Sequence, residues 1–440
     1  MRFYSTRDKL LTVDFKEAIF TGLAPDGGLY HPSAEPDLKR LFLSLDPEIP
    51  FTELATQVVA ELLPETFSPA AARRVCERAF SFAPAVREIS SNLSLLELFH
   101  GPSCAFKDFG AGFLASAMQE LLEVGGPPAV ILTATSGDTG SAVAKAFHKT
   151  PNVEVVILYP SGRMSPLQEQ QLTTVGDNVT ALEIDGSFDD CQRLVKQAFV
   201  DPDLRRRAHL TSANSINLGR LLPQALYYVD GFVRLRSRLA SEIVFCVPSG
   251  NFGNLTAGVL AWRWGLPVSG FIAATNANDV VPEYLMTGVF EPRPSLQTLA
   301  NAMDVGNPSN FERLLQVFGS DYQVMRAMVS GVSAADDEIL DAMTRYYKSH
   351  TLFLDPHTAA GVVAAERFTR VDGESDAMVV TLATAHPAKF RESVRRATGE
   401  VPALPKQLEE AMHKKKHSVP MAASLDALRT YLLDNYEAHR

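Results

Sequence analysis

The stretch EIVFCVPSGNFGNLTAGVLAWRWG (242–265) decides the fold. After Glu242 come five apolar residues, Ile243 to Val247, stopped by Pro248. That is the pattern of a short strand buried on both faces. Ser249-Gly250-Asn251-Phe252-Gly253-Asn254 then forms a turn, and LTAGVLAWRW resumes with helical spacing. The same order recurs where AVILTA (129–134) runs into TSGDTGSAVAKAFHK (135–149). EVVILY (154–159), GFIAAT (270–275) and AMVVTLA (377–383) are further short apolar runs. Buried strands alternating with helices predict an α/β fold with a largely parallel sheet. Residues 1–92 lack this pattern and read as a separate, mixed, mostly helical domain. APDGGLYHP (24–32) is turn-rich there, and FTELATQVVAELLP (51–64) has helical spacing ending at a proline.

A chain of 440 residues exceeds the ~250–300 at which a single core stops growing, so two or three domains are expected. The net charge of −10 speaks against nucleic acid or an anionic membrane as partner. It also poses a problem: a site for anions has to create positive potential against an acidic background. The four cysteines (Cys76, Cys104, Cys191, Cys246) are far apart and lack metal-ligand spacing. They fit reduced thiols in the cytoplasm, and no metal is expected. The N-terminal MRFYSTRDKLLTVDF has no apolar core of a secretory signal, and no apolar run nears the ~20 residues of a membrane span. HKKKH (413–417) reads as a solvated turn.

In open parallel sheets ligands bind beyond the carboxyl ends of the strands. Two glycine-rich turns stand at such places. The free N–H groups of the 249–254 turn, at a helix start, suit a phosphate, although the spacing equally describes an ordinary turn. It matches neither a dinucleotide fingerprint nor a P-loop. The second turn, Thr135-Ser136-Gly137-Asp138-Thr139-Gly140-Ser141, offers hydroxyls and backbone donors, or only a helix cap. Lys107 lies in HGPSCAFKDFGAGF (100–113) beside Phe106, Phe109 and Phe113. Aromatic surroundings desolvate a lysine and favour the nucleophilic amine, while a lone lysine is more often a surface residue.

GPSCAFKDFGAGF, TATSGDTGSAV, YPSGRMSPLQEQQL, NSINLGRLLPQ, VPSGNFGN and TAHPAKF occur in this order. Together they resemble the threonine synthases, within the tryptophan-synthase-β-like (fold type II) pyridoxal-phosphate enzymes. The likeness runs from FKEAIFTGLAPDGGLY (15–30) to TAHPAKF (384–390), and its N-terminal part is similar to the bacterial and fungal branch. The resemblance implies a catalytic region over 93–440, made of a large and a small α/β domain, the small one at roughly 128–215. It implies that Lys107 carries pyridoxal 5'-phosphate as a Schiff base. Gly250, Asn251, Phe252, Gly253 and Asn254 would hold the cofactor phosphate, and the Thr384 hydroxyl would meet the ring nitrogen. Thr135, Ser136, Gly137, Asp138 and Thr139 would clamp the substrate carboxylate, and Arg163 and Ser165 would contact the substrate phosphate. Two departures stand out. Gly112 sits where relatives often carry arginine, and Ser103-Cys104 replaces a pair such as Thr-Leu. If that arginine contacts an anion elsewhere in the family, this chain supplies the charge otherwise.

The implied reaction converts O-phospho-L-homoserine and water to L-threonine and phosphate. Lys107, freed by the substrate amine, is the group expected to move protons at Cα. A neutral hydroxyl at the ring nitrogen would restrain carbanion chemistry there. The near alternatives are a phosphohomoserine lyase or a serine/threonine dehydratase of the same fold, separable by their products. The distant one is a silent binding protein, against which Lys107, the GNFGN loop and Thr384 argue. Monomer and homodimer are both compatible with the sequence. His100, His357 and His386 fall in motif regions and receive no catalytic role.

Overall fold

The computed structural model describes residues 1–122, 128–135, 137–238, 242–371 and 377–436. Three sheets organise them. The N-terminal one is small and antiparallel: Phe3–Ser5 lies between Thr12–Val13 and Tyr30–Pro32. Helices Phe15–Thr21, Phe51–Leu62 and Pro69–Ala79 accompany it. Phe51–Leu62 buries Phe51, Leu54, Ala55, Val58, Val59 and Leu62, the stripe that its spacing predicts.

The large sheet has six strands. Ile243–Pro248 pairs in parallel with Gly270–Thr275 on one side and Met378–Ala383 on the other. Gly270–Thr275 continues in parallel to Val329–Ser333, and Met378–Ala383 to Leu93–Glu97. Ala85–Glu88 closes the edge antiparallel to Leu93–Glu97. The boundary expected at residue 92 thus falls inside a hairpin of this sheet, and one of its strands lies before it. The exposed end of Ala85–Glu88 gave no apolar run to read.

The second sheet is wholly parallel, in the order Val419–Ala422, Val179–Asp185, Val153–Pro160, Ala129–Ala134, Leu210–Thr211. Four of these strands fall within 128–215, but the fifth comes from the end of the chain. Leu428 and Leu432 of helix Leu425–Tyr436 bury in the same core as Leu132, Val156, Leu182 and Leu194. The HKKKH run serves this return. Lys416 Nζ lies 2.5 Å from Glu169 and 3.1 Å from Glu183, and the His417 N–H donates to the Thr173 carbonyl at 2.8 Å. The run is a solvated turn, with all five residues exposed, that also tethers the returning chain to the small sheet.

Among the described residues no helix is long and apolar enough to cross a membrane. Cys76, Cys104, Cys191 and Cys246 are all free and buried.

Candidate active site

Three parallel neighbours of the large sheet, Leu93–Glu97, Met378–Ala383 and Ile243–Pro248, end on the same edge. The first leads into helix Lys107–Leu121, the second into Thr384, and the third into the 249–254 turn. Backbone bonds knit the first two exits together. The Phe106 N–H donates to the Thr384 carbonyl at 2.9 Å, and the His386 N–H to the Cys104 carbonyl at 3.0 Å. Thr384 is thereby fixed beside the lysine segment, and its hydroxyl forms no hydrogen bond among the described residues. From the small sheet, Ala129–Ala134 leads into helix Asp138–Phe147, which packs against the lysine helix.

Lys107 stands at the start of its helix, half-buried, with Nζ 5.7 Å from the centre of the Phe106 ring. Phe109 and Phe113 do not share that face. Phe109 packs on Phe51, Phe80, Phe82 and Tyr227, and Phe113 on Phe80, so both tie the helix to the N-terminal domain. Desolvation of Lys107 is real, but of the three phenylalanines only Phe106 is placed to contribute. Burial lowers its pKa below the ordinary lysine value; Asp138 opposes this, while Lys389 and Arg220 add to it.

The charges around Lys107 come from segments far apart in the chain. Asp138 Oδ1 accepts from Lys389 Nζ at 2.8 Å, with side chains 4% and 0% exposed. Lys389 Nζ also donates to the Ser103 carbonyl at 2.7 Å, and Gln168 Nε2 to Asp138 Oδ1 at 3.1 Å. Burial would raise the Asp138 pKa, but Lys389, Lys107 and Gln168 together drive it well below the usual carboxylate range. Asp108 is buried too, and burial pushes its carboxyl up to about 6, although the Ser103 N–H donates to it at 2.9 Å. Arg220 is buried behind the lysine helix without an ion-pair partner among the described residues. It bonds the Ala213 carbonyl, and its Nε finds no partner. Two buried cations, Lys389 and Arg220, face the Asp138 and Asp108 carboxylates, and Lys107 stands beside them with its charged form disfavoured by burial. Sequence reading assigned no role to Lys389, Arg220 or Asp108, although each lies in a quoted motif; only the fold shows that they converge.

Gly112 has a different explanation from charge. A Cβ there would lie 2.7 Å from the Ala79 carbonyl oxygen, so the position is a close helix–helix contact with no room for arginine.

The 249–254 turn leads into helix Gly253–Arg263. The N–H groups of Gly250, Asn251, Phe252, Gly253 and Asn254 form no hydrogen bond among the described residues. They are five donors at a helix start, where the dipole also favours an anion. Phe252 holds a left-handed conformation (φ 59°) with its ring buried, which directs the following N–H groups. A Cβ on Gly250 would sit 2.8 Å from the Ala302 carbonyl oxygen. The turn Asn301–Met303 therefore forms the back wall of the loop. Asn254 braces the front: its Nδ2 donates to the Pro248 carbonyl at 2.7 Å.

The 135–141 turn is largely its own cap. Thr135 Oγ1 accepts from the N–H groups of Gly137 and Gly140 at 3.0 and 2.8 Å. That leaves the N–H groups of Asp138 and Thr139 and the half-buried Thr139 hydroxyl as donors. The Asp138 carboxylate, engaged by Lys389, is no donor to an anion. Ser136 lies outside the described residues. Ser165 caps helix Pro166–Thr173 and shares a hydrogen bond with Gln168, the residue that reaches Asp138. Arg163 is exposed, and its side chain forms no ion pair among the described residues.

These residues fit a phosphate-bearing aldehyde: a desolvated amine stands at one strand exit and an uncharged cradle of N–H groups at another. The comparisons with known proteins agree. The family described as "Pyridoxal-phosphate dependent enzyme" matches residues 83–385, "Threonine synthase N terminus" matches 2–80, and "Threonine synthase, C-terminal" matches 358–432. The threonine synthase of Serratia marcescens is 41% identical, over 98% of this chain and 99% of its own length. The crystal structure of threonine synthase from Escherichia coli superposes with a TM-score of 0.89 at 40% identity, covering 99% of this chain and 100% of that one. A structure of PLP-bound threonine synthase from Brucella melitensis gives 0.92 at 34% identity, with 100% of both chains covered. The chain belongs to the threonine synthase family, fold type II pyridoxal-phosphate enzymes of threonine biosynthesis.

Proposed function

We propose that the chain converts O-phospho-L-homoserine and water to L-threonine and phosphate, with Lys107 as both cofactor anchor and proton carrier. The observation that carries this reading is the convergence of Lys107, Thr384 and the 250–254 loop on one sheet edge. Pyridoxal phosphate, when bound, supplies an electron sink for charge developing on the substrate. The chain supplies the rest. Its depressed pKa makes Lys107 an amine that both attacks and accepts a proton at Cα. The N–H groups of Gly250, Asn251, Phe252, Gly253 and Asn254 hold the cofactor phosphate, and the unused Thr384 hydroxyl meets the ring nitrogen. The N–H groups of Asp138 and Thr139, with the Thr139 hydroxyl, receive the substrate carboxylate. Thr135 and Gly137 shape that turn, and the Asp138–Lys389 pair holds it in place. Arg163 is the cation available for the substrate phosphate, carried on the turn that Ser165 ends.

The same reading treats the residues before the Ala85–Glu88 strand as a domain that docks on the lysine helix and the chain from that strand onward as the catalytic region, with the small domain of roughly 128–215 completed by the returning C-terminus. It places the enzyme in the cytoplasm, which four unpaired cysteines support. Incubation with O-phospho-L-homoserine tests the activity. Equal release of threonine and phosphate is expected. Formation of 2-oxobutyrate in place of threonine would assign the chain to a lyase or dehydratase reaction.

A further inference from the structure

Arg313 is fully buried, yet among the described residues no carboxylate lies within ion-pair distance of it. Its partners are neutral. Nε donates to the Tyr30 carbonyl at 2.8 Å, and Nη2 to the Ile216 carbonyl at 2.6 Å. Nη1 donates to Asn310 Oδ1 at 2.7 Å and to the Ser215 carbonyl at 3.5 Å. Its neighbour Glu312 is turned away to Arg7 and Thr6. A buried guanidinium without a counter-charge is costly, and hydrogen bonds to carbonyls offset only part of that cost.

What lies next to it explains the missing partner. Asn310, bonded to Arg313, also donates its N–H to the Asn251 carbonyl at 3.2 Å. Its Nδ2 would lie 3.2 Å from a Cβ on Gly253. Ser309 donates from both N–H and Oγ to Asn251 Oδ1 at 3.2 Å. Arg313 therefore sits behind the 250–254 loop, one asparagine removed from it. We propose that Arg313 is a positioning residue whose fixed charge, transmitted past Asn310, makes this loop select the cofactor's phosphate. The counter-ion missing from the protein is the phosphate itself. The same guanidinium also grips the Tyr30 carbonyl of the N-terminal domain. The proposal rests on the loop being the phosphate site.

The test compares pyridoxal phosphate with pyridoxal, which lacks only the phosphate. Dissociation constants of both are measured on apo-enzyme of the full chain, and their ratio reports on the phosphate alone. Asn310→Asp supplies Arg313 with an internal carboxylate at nearly constant shape, and Arg313→Gln removes the charge. Either should cut the wild-type preference for pyridoxal phosphate at least about tenfold, the scale of one fixed charge acting through a protein interior. Arg313→Lys should keep most of it. If Arg313→Gln does not fold, Asn310→Asp decides. An unchanged ratio in Asn310→Asp, with Gly250→Val abolishing the preference, would overturn the role of Arg313 and leave the loop assignment standing. An unchanged ratio in both variants would overturn the loop assignment, and the proposal with it.

Discussion

At the lysine corner, Lys107, Asp108, Asp138, Arg220 and Lys389 bring together five ionisable side chains from four chain segments, four of them buried and Lys107 half-buried. At the 250–254 loop, the five residues Gly-Asn-Phe-Gly-Asn contain no ionisable side chain. In the proposed roles the two regions grip opposite ends of one cofactor. The corner must move protons, so it needs groups whose charge can change and whose neighbours set when. The loop must only hold a phosphate, so fixed N–H dipoles suffice, with the compensating charge kept one layer back. Small backbone shifts should therefore hurt the loop most, while single charge deletions should hurt the corner most.

The largest expected effect that separates them is at the buried ion pair. Lys389→Met leaves Asp138 without its closest partner and should lower the unfolding free energy by about 3–5 kcal/mol, read from urea titration. A loss under about 1 kcal/mol would mean that Lys107 alone can hold Asp138, and that the corner is less tightly coupled than its geometry implies. Asp108 gives a pH signature. Folding raises its carboxyl to about 6, so the protonated form is favoured in the folded chain. That contribution is complete below the unfolded value of 3.8 and is lost as pH rises through about 6. Asp108→Asn should remove up to about 3 kcal/mol of pH-dependent stability, seen as a flatter melting temperature between about pH 4 and about pH 7. An unaltered pH profile would show that Asp108 is not desolvated.

The loop should fail differently. Gly250→Val drives a side chain into the Ala302 carbonyl, an overpacking that costs about 1–3 kcal/mol. Because the wall packs directly against the cradle, cofactor affinity should fall by about tenfold or more, with a smaller change in apo-enzyme melting. Equal losses in both would reduce the loop to an ordinary turn. The smallest effect is expected at Thr384. Thr384→Ala removes one neutral hydrogen bond, about 0.5–1.5 kcal/mol, and should leave product partitioning nearly intact. Thr384→Asp should favour a protonated ring and divert turnover from threonine to pyridoxamine phosphate. Identical partitioning in both variants would place Thr384 away from the ring.

Strands with unbroken apolar runs were legible in the sequence: Ala129–Ala134 and Gly270–Thr275 fall where their runs predict. Val179–Asp185 was not read as a strand, because VTALEID mixes in polar residues. Val329–Ser333 is an edge strand with partly exposed residues, and Val419–Ala422 is short and mostly exposed. Within the site, Lys107 and both glycine-rich turns carry local signals. The Asp138–Lys389 pair carries none, since its partners meet only after the small and large sheets have packed. Gly112 was misleading for a related reason: its constraint is the Ala79 carbonyl on another helix, which no local pattern records.

The central claim is that Lys107 anchors the cofactor. Reduction of the holoenzyme with borohydride, followed by proteolysis and mass spectrometry, tests it directly. The account predicts the phosphopyridoxyl adduct on Lys107 in the AFKDFGAGF segment, and none in the same treatment of Lys107→Ala. An adduct on Lys389, the buried lysine of the corner, or on any third lysine would contradict it.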